Sequence, residues 1–266
     1  MKIAVFSDVH GNLSGIRAVL DHIETQPGVD QVVFAGDACF KGPRPLDCIN
    51  ELRECEINCL VGNTDAWILH PPPIDETMDE DTRNWLVHVG EISEWTIANI
   101  DDRAYEWLEE LESHFELRIS PTLDREQDLL IVHANPVDLL QAIFPNEKRQ
   151  VELYGFVRQS DDKLDQLISR VSASTIAFGH LHIPGIRRWK NVTLANISSV
   201  SLPGDGDPRA KYAIFEWQDD QGWEVEIFRV SYPIEGEMKA FEQYKPPGWE
   251  KSVDALLSDG LIAQVV

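Results

Sequence analysis

The chain has 266 residues, which suits one enzyme-sized domain and is short for two complete ones. Its 46 acidic and 23 basic side chains give a formal net charge of -23. Such a charge argues against binding long nucleic acids or anionic membranes through a basic face, so we expect a small-molecule partner. An anionic substrate would then need a local cation to hold it.

The four cysteines contain no Cys-x-x-Cys pair of the kind that holds structural zinc, so we expect buried thiols at Cys39, Cys48, Cys55 and Cys59. The apolar segment before Asp8 is too short for a signal peptide, and no apolar run is long enough to span a membrane. These features predict a reduced, cytoplasmic protein. The sequence leaves its oligomeric state open.

Short apolar runs alternate with helical patterns at the start of the chain. Strands are predicted at 3–6, 31–35 and 57–61, and helices at 13–24 and 45–54. This order predicts a βαβαβ opening with right-handed crossovers, in which the carboxyl ends of the strands open on one side of a sheet.

The pattern is interrupted between residues 66 and 115, where three consecutive prolines at 71–73 precede acidic helical segments that contain tryptophan. Apolar residues recur at i, i+3, i+4 and i+7 across 104–111, as on one face of a helix. We expect this helical insert to pack firmly on the body of the domain. It could cap the site.

The second half of the chain returns to short strands and helices. Strands are predicted at 116–119, 129–132 and 174–178, and helices at 148–158 and 162–171. Beyond residue 185 the remaining apolar runs are short and predict antiparallel pairing in a second sheet; they lie at 186–189, 192–195, 212–217 and 223–230.

Side chains of metal-ligand type follow five of the apolar runs: Asp8 with His10, Asp37, Asn63, His133, and His180 with His182. Residues two apart after a strand share one side, so Asp8 and His10 can face the same ion. Oxygen and imidazole ligands without thiolate suit Mn, Fe, Ni, Co or Zn, and a carboxylate between two such sets can bridge two ions. We expect the glycines before Asp37, Asn63 and His180 to let the backbone turn tightly there.

In this order the motifs Asp-x-His, Gly-Asp, Gly-Asn, His and Gly-His-x-His resemble those of the calcineurin-like metallophosphoesterase superfamily, and most of all its small bacterial and archaeal phosphodiesterase branch. The resemblance covers residues 1–65 and 129–215 but not the insert at 66–115. It implies an α/β fold: a four-layer αββα sandwich of two mixed sheets flanked by helices. It also implies one metallophosphoesterase domain over 1–266, with the insert as a cap-like addition.

Carried over residue by residue, the resemblance implies two metal ions. One would be bound by Asp8, His10 and His182, the other by Asn63, His133 and His180, with Asp37 bridging them. The implied reaction is hydrolysis of a phosphoester by a hydroxide that both ions activate, which gives Asp37 a catalytic role as well. Manganese is the first expectation for the metal, with Fe, Ni, Zn or Co as alternatives.

Thr64 stands where many members of the superfamily have a histidine that protonates the leaving group. A threonine hydroxyl is a weak acid, so esters that leave easily are favoured, unless another group supplies the proton. We therefore expect a phosphodiesterase acting on small diesters with aryl or ribose leaving oxygens, nucleotides included. Two alternatives stay open: a phosphomonoesterase acting on nucleotides or phosphoproteins, and a catalytically silent scaffold of the same fold.

Four side chains are candidates for contacts with substrate: Asn12, Asn63, Arg44 and Arg209. Asn12 can instead cap its helix, and cations in loops such as Lys41 and Arg44 are usually only solvated. Arg209 lies in a stretch, 205–210, that resembles the family's Pro-Arg segment. Asp65 is expected to orient a neighbouring group or to cap the next helix.

Overall fold

The computed structural model describes residues 1–154 and 159–257. Within them the strands, in chain order, are β1 (Lys2–Phe6), β2 (Gln31–Phe34), β3 (Asn58–Cys59), β4 (Glu116–Ile119), β5 (Leu129–Val132), β6 (Thr175–Phe178), β7 (Gly185–Trp189), β8 (Val192–Asn196), β9 (Ala210–Gln218) and β10 (Gly222–Val230). The helices are α1 (Leu13–Glu24), α2 (Pro45–Glu54), α3 (Asn63–Leu69), α4 (Glu80–Ala98), α5 (Asp102–Leu111), α6 (Glu147–Tyr154), α7 (Asp161–Ile168), α8 (Ile234–Tyr244) and α9 (Trp249–Leu257).

The first sheet has the strand order β10-β9-β1-β2-β3. Strands β1, β2 and β3 run parallel, and α1 and α2 connect them as the predicted βαβαβ opening requires. Both helices have the predicted bounds. Helix α1 begins after Asn12, whose Oδ1 accepts a hydrogen bond from the backbone N–H of Gly15 at 2.7 Å and so satisfies one of the free donors of the first turn.

The second sheet has the order β4-β5-β6-β8-β7, with β5, β6 and β8 parallel and an antiparallel strand at each edge. The sequence predicts that the strands beyond residue 185 form a second sheet of their own. That prediction is wrong, because these strands divide between the two sheets. Strands β7 and β8 join the second sheet, while β9 and β10 return to the first, where Phe215 of β9 pairs with Ile3 of β1. The first six residues of β9 are buried, which suits a strand inside a sheet better than an exposed hairpin.

Alternation along the strands separates the layers. In β1, Ala4 and Phe6 face the helices, whereas Ile3 and Val5 face the second sheet. On the outer face of the second sheet, Leu164 and Leu167 of α7 pack in a third apolar cluster. Helix, sheet, sheet and helix follow one another, so the predicted four-layer sandwich of two mixed sheets is confirmed.

Helices occupy the predicted insert. Its α3, α4 and α5 extend the helical layer on the first sheet, and Ile92 and Leu108 join the same apolar cluster as α1 and α2. The stripe predicted on α5 is confirmed, with Ala104, Leu108 and Leu111 buried. Within the described residues, no helix combines the length and apolar character needed to cross a membrane.

Two smaller predictions are only partly right. Cys39 and Cys48 are buried free thiols as expected, but Cys55 follows the end of α2 and is exposed, and Cys59 is half-buried. Burial raises the pKa of Cys59 to about 12. The helix predicted over 148–158 is present as α6 up to Tyr154, and residues 155–158 lie outside the described part of the chain.

Candidate metal centre

The seven predicted ligands meet at one edge of the sandwich, because each lies within four residues of the carboxyl end of a parallel strand. Each of them is at most 4% exposed. The first sheet supplies Asp8 and His10 after β1, Asp37 after β2 and Asn63 after β3, and the second supplies His133 after β5 and His180 and His182 after β6. We call this group of seven side chains the ligand floor.

Five residues of the ligand floor have left-handed backbone, with φ of 56° at Asp8, 45° at His10, 66° at Asp37, 66° at His180 and 58° at His182. Residues other than glycine rarely adopt this conformation, which persists only where surrounding contacts fix it. Here the loops brace each other: the backbone N–H of Asp8 donates to Gly36 O at 2.9 Å, and that of His10 donates to Asp37 O at 3.1 Å. The strained loops therefore turn the ligands toward one point.

The glycines before the ligands serve two different purposes. Gly36 has φ of 97°, so the predicted tight turn is confirmed there. A Cβ on Gly62 would lie 2.0 Å from Asp37 Oδ1, and one on Gly179 would lie 2.3 Å from Asp8 Oδ2. Gly62 and Gly179 have no left-handed backbone and are needed because the ligand carboxylates leave no room for a side chain.

In every histidine of the ligand floor, one ring nitrogen lies within hydrogen-bond distance of a backbone carbonyl oxygen. Because a carbonyl only accepts, the proton is assigned to that nitrogen. The other nitrogen then carries a lone pair toward the centre. The four contacts are His10 Nδ1 to Phe40 O at 3.0 Å, His182 Nδ1 to Leu202 O at 2.6 Å, His133 Nδ1 to Ala35 O at 2.9 Å, and His180 Nε2 to Leu140 O at 3.1 Å.

At one end of the ligand floor, acceptor atoms face acceptor atoms. His10 Nε2 lies 3.3 Å from His182 Nε2, and Asp8 Oδ1 lies 3.1 Å from His182 Nε2. Where each ring carries its one proton on the carbonyl side, no hydrogen is left to bridge these atoms. Such a cluster repels itself unless a cation lies among its lone pairs, so these three residues fit a metal ion.

The same arrangement recurs at the other end. Asn63 Oδ1 lies 2.9 Å from His133 Nε2 and 3.0 Å from His180 Nδ1. Between the two ends, Asp37 Oδ2 lies 3.6 Å from His10 Nε2 and 3.5 Å from His133 Nε2. One carboxylate therefore reaches both groups, and the oxygen and imidazole donors suit divalent ions such as Mn, Fe or Zn.

Burial and charge shift the pKa values of these groups, and not all in the same direction. Burial lowers the pKa of His10 and of His180 to about 4, so both rings are neutral at neutral pH. Burial acts to raise the pKa of Asp8, but the neighbouring imidazoles, His182 first, outweigh it and lower that pKa, so Asp8 is a carboxylate. Burial likewise acts to lower the pKa of His133, but Asp37 and Asp8 outweigh it and raise that pKa.

Asp65 holds the loops that carry the ligands. Its carboxylate accepts hydrogen bonds from the backbone N–H groups of Asp37 at 2.7 Å, Ala38 at 2.8 Å and Gly62 at 2.9 Å. Burial, followed by the charge of Asp37, raises the pKa of Asp65 to about 7, and the three N–H donors act in the opposite direction. The expected orienting role of Asp65 thus has a clear physical basis.

Three of the four predicted substrate contacts have other partners in the structure. Asn12 serves as the cap of α1, and its Nδ2 donates to Ser201 Oγ at 3.4 Å. Arg44 is engaged by the buried carboxylate of Glu237 and by Ser14 Oγ, so its charge is already matched. Arg209 is exposed and forms a bidentate pair with Asp207. None of these three lines the cavity beside the ligand floor, and their substrate contacts stay predictions.

That cavity has a volume of about 40 Å³, or about 460 Å³ when the open solvent space in front of it is included. His10, Asp37, Asn63 and His182 form its floor, and Lys41 is the cation beside them. Lys41 follows Asp37 in the same loop, which is the signal that could have ranked it above Arg44. Burial lowers the pKa of its ammonium group.

Thr64 also lines the cavity. Its backbone N–H donates to Asp37 Oδ1 at 2.9 Å and fixes the orientation of that carboxylate. Its buried Oγ1 has no hydrogen-bond partner among the described residues. A hydroxyl is therefore held next to Asp37 with its hydrogen-bonding capacity unused.

Comparisons with known proteins agree with this geometry. The family model described as the calcineurin-like phosphoesterase superfamily domain matches residues 1–220. The uncharacterized protein MJ0912 of Methanocaldococcus jannaschii is 28% identical over 255 residues, which cover 93% of this chain and 94% of that protein.

Two solved structures share the fold over nearly the whole chain. A metallophosphoesterase from Sphaerobacter thermophilus superposes with a TM-score of 0.67 at 23% identity, covering 100% of this chain and 99% of that one. Hypothetical protein PH1004 from Pyrococcus horikoshii OT3 superposes with a TM-score of 0.73 at 17% identity, covering 97% and 98%. The family match and the ligand floor together show that this chain belongs to the calcineurin-like phosphoesterase superfamily, a family of metal-dependent phosphoesterases.

Proposed function

We propose that this protein is a metal-dependent phosphoester hydrolase that prefers phosphodiesters. One observation carries the proposal: ring nitrogens of four histidines and oxygens of Asp8, Asp37 and Asn63 converge on one buried site. Backbone carbonyls hold the far side of each ring. This arrangement supports two adjacent divalent ions.

In this proposal Asp8, His10 and His182 hold one ion, Asn63, His133 and His180 hold the other, and Asp37 lies between the two groups. Two bound divalent ions supply a water of lowered pKa as nucleophile at neutral pH, together with positive charge for the phosphate oxygens. The backbone N–H of Thr64 orients Asp37. Lys41, in the same cavity, attracts the anionic ester despite the chain's formal net charge of -23.

The preference for diesters rests on Thr64. No histidine outside the ligand floor lines the cavity in the described part of the chain, and the residue that follows Asn63 there is Thr64, which offers a hydroxyl in place of an imidazole. That hydroxyl protonates an alkoxide poorly, which favours aryl or ribose leaving oxygens. We also propose that the chain is one cytoplasmic domain whose insert caps the site. Support comes from Trp85 of α4, which lines the cavity.

The test compares wild-type protein with an Asp37→Asn variant on an aryl phosphodiester in the presence of manganese. We expect the variant to lose roughly 100-fold or more in kcat/KM, because the amide cannot supply the charge that both ion sites share. Asp21→Asn is the matched control, since Asp21 lies on the exposed side of α1 and should leave the rate unchanged. Chelation should abolish the wild-type rate, and added manganese should restore it.

Three results would contradict the proposal in different ways. Equal rates for wild type and Asp37→Asn would rule out the proposed mechanism with two metal ions. A large preference for the aryl monoester over the diester would indicate a phosphomonoesterase, with a proton donor other than Thr64. Full metal sites without turnover of any ester would indicate a binding scaffold of the same fold.

A further inference from the structure

The cavity beside the ligand floor has an aromatic side that the proposed reaction does not use. Phe40, Trp67 and Trp85 line it together with Val89 and Leu202. Trp85 and Val89 belong to α4 of the insert, and Trp67 belongs to α3. We call Phe40, Trp67 and Trp85 the aromatic wall.

The rings of the aromatic wall form a row of edge-to-face contacts. Phe40 and Trp67 have ring centroids 6.2 Å apart at 73°, and Trp67 and Trp85 have centroids 5.5 Å apart at 83°. This geometry is favourable for aromatic pairs and fixes each ring against the next. Trp85 stands at the end of the row farthest from Phe40 and is half-buried, so part of its surface remains available inside the cavity.

The contacts between α3 and α4 hold the wall in place. Ser93 Oγ of α4 donates to Trp67 O of α3 at 2.8 Å, which connects the two helices. Val89 and Ile92, on the same side of α4, are buried in the main apolar cluster. The wall is thus a rigid surface. In the sequence, Trp85 lies 48 residues before His133, the first ligand from the second sheet, so the fold brings it to the site.

The polar and apolar sides of the cavity divide the work of binding. Lys41 and the ions that the ligand floor would hold offer positive charge to a phosphoryl group, whereas the aromatic wall offers ring surfaces, with the methyl groups of Val89 and Leu202 beside it. An aliphatic or strongly hydrated substituent would gain little there. A planar aromatic group would stack, because every such ring has a π-face that packs well on tryptophan.

We infer that the aromatic wall selects phosphoesters that carry a planar aromatic group beside the phosphorus, either an aryl alcohol or a nucleobase, and that Trp85 of the insert determines this selectivity. The inference deepens the proposed function and rests on it for the placement of the phosphoryl group. Trp85 acts on the bound substituent and takes no part in the bond-breaking step.

The test measures equilibrium binding, so it does not depend on turnover. Calorimetry on the manganese-loaded full chain compares phenylphosphonate with methylphosphonate, and adenosine 5′-monophosphate with ribose 5-phosphate. We expect at least one aromatic ligand to bind about tenfold more tightly than its aliphatic match. Trp85→Ala should remove most of that difference and leave the aliphatic ligand unaffected.

Controls separate stacking from folding. Trp95→Ala truncates a half-buried tryptophan of the same helix that does not line the cavity, and should keep the aromatic preference. Trp85→Leu keeps apolar bulk without a ring and serves where Trp85→Ala lowers the melting temperature; it should lose the preference as well. Trp85→Phe should retain most of it.

The outcomes are distinct. A preference confined to the phenyl pair identifies an aryl substituent, and one confined to the adenosine pair identifies a nucleobase; both support the inference. Equal binding of aromatic and aliphatic ligands overturns it, as does equal weakening of both by Trp85→Ala. Failure of the Asp37→Asn comparison on turnover would overturn the proposed function, while these binding constants would still decide the inference.

Discussion

The ligand floor and the aromatic wall enclose the same cavity but are built in opposite ways. The floor consists of buried polar groups, five of the seven on left-handed backbone, and backbone hydrogen bonds brace the loops that carry them. The wall consists of aromatic rings, two of them on helices α3 and α4, fixed by packing against one another. Changes in the floor should therefore affect all substrates alike, whereas changes in the wall should alter only the choice among them.

Gly62→Ala should have the largest effect of the changes in the ligand floor. The new Cβ would lie 2.0 Å from Asp37 Oδ1 and 2.4 Å from Asp37 N, so the carboxylate must move. We expect a loss of roughly 100-fold in kcat/KM on aryl and alkyl diesters alike, because small displacements of catalytic groups are costly. Steady-state kinetics on both ester types measure the effect.

Gly90→Ala is the matched control, because a Cβ there meets nothing within 4 Å and the residue lies within α4. It should leave kcat/KM unchanged and stabilise the protein by about 1 kcal/mol. A loss of activity restricted to one ester type in Gly62→Ala would show that floor and wall are not separable.

Asp65→Asn should have an intermediate effect. The carboxylate accepts three backbone N–H bonds, whereas an amide would present a donor toward one of those N–H groups. We expect a 10- to 100-fold weaker affinity for manganese, about the cost of disturbing a group that supports metal ligands. Titration of the metal-free protein with manganese measures this affinity.

Asp79→Asn provides the comparison, since Asp79 also accepts a backbone N–H, that of Thr82, but at the exposed start of α4. Asparagine caps helices about as well as aspartate, so this variant should bind metal normally. Unchanged affinity in Asp65→Asn would mean that the loops of the floor keep their shape without the carboxylate.

Thr64→Val should have the smallest effect and lies where floor and wall meet. The substitution removes a buried hydroxyl that has no partner among the described residues and keeps the N–H that orients Asp37. We expect stability within about 1 kcal/mol of wild type and a kcat/KM on aryl diesters within roughly threefold. A loss above tenfold on these esters would instead make Thr64 the proton donor.

The contrast also explains what the sequence could reveal. Ligands that follow apolar runs, such as Asp8 and His133, were predictable because parallel strands bring their carboxyl ends to one edge. Helices α1 and α2 were predictable because their apolar residues recur at helical spacing. The orienting role expected of Asp65 agrees with its three backbone contacts.

Other features depend on pairings between distant residues, which local periodicity does not encode. Strand β9 was recognisable as a strand, but its place beside β1 was not. Arg44 looked like a free loop cation because its partner, Glu237, lies 193 positions further along the chain. The aromatic wall was hidden because a proline-containing segment separates Trp67 from Trp85.

The pairing of Arg44 with Glu237 bears on where this protein can be shortened. The family match stops at residue 220, yet β10 and α8 lie beyond it, and α8 supplies the only carboxylate that contacts Arg44 within the described residues. A chain that ends at residue 220 would lack β10, the outer neighbour of β9. It would also lack Glu237, so the Arg44 guanidinium near the first ligand loop would have no counter-ion. We therefore expect the smallest working unit to be longer than the segment that the family model matches.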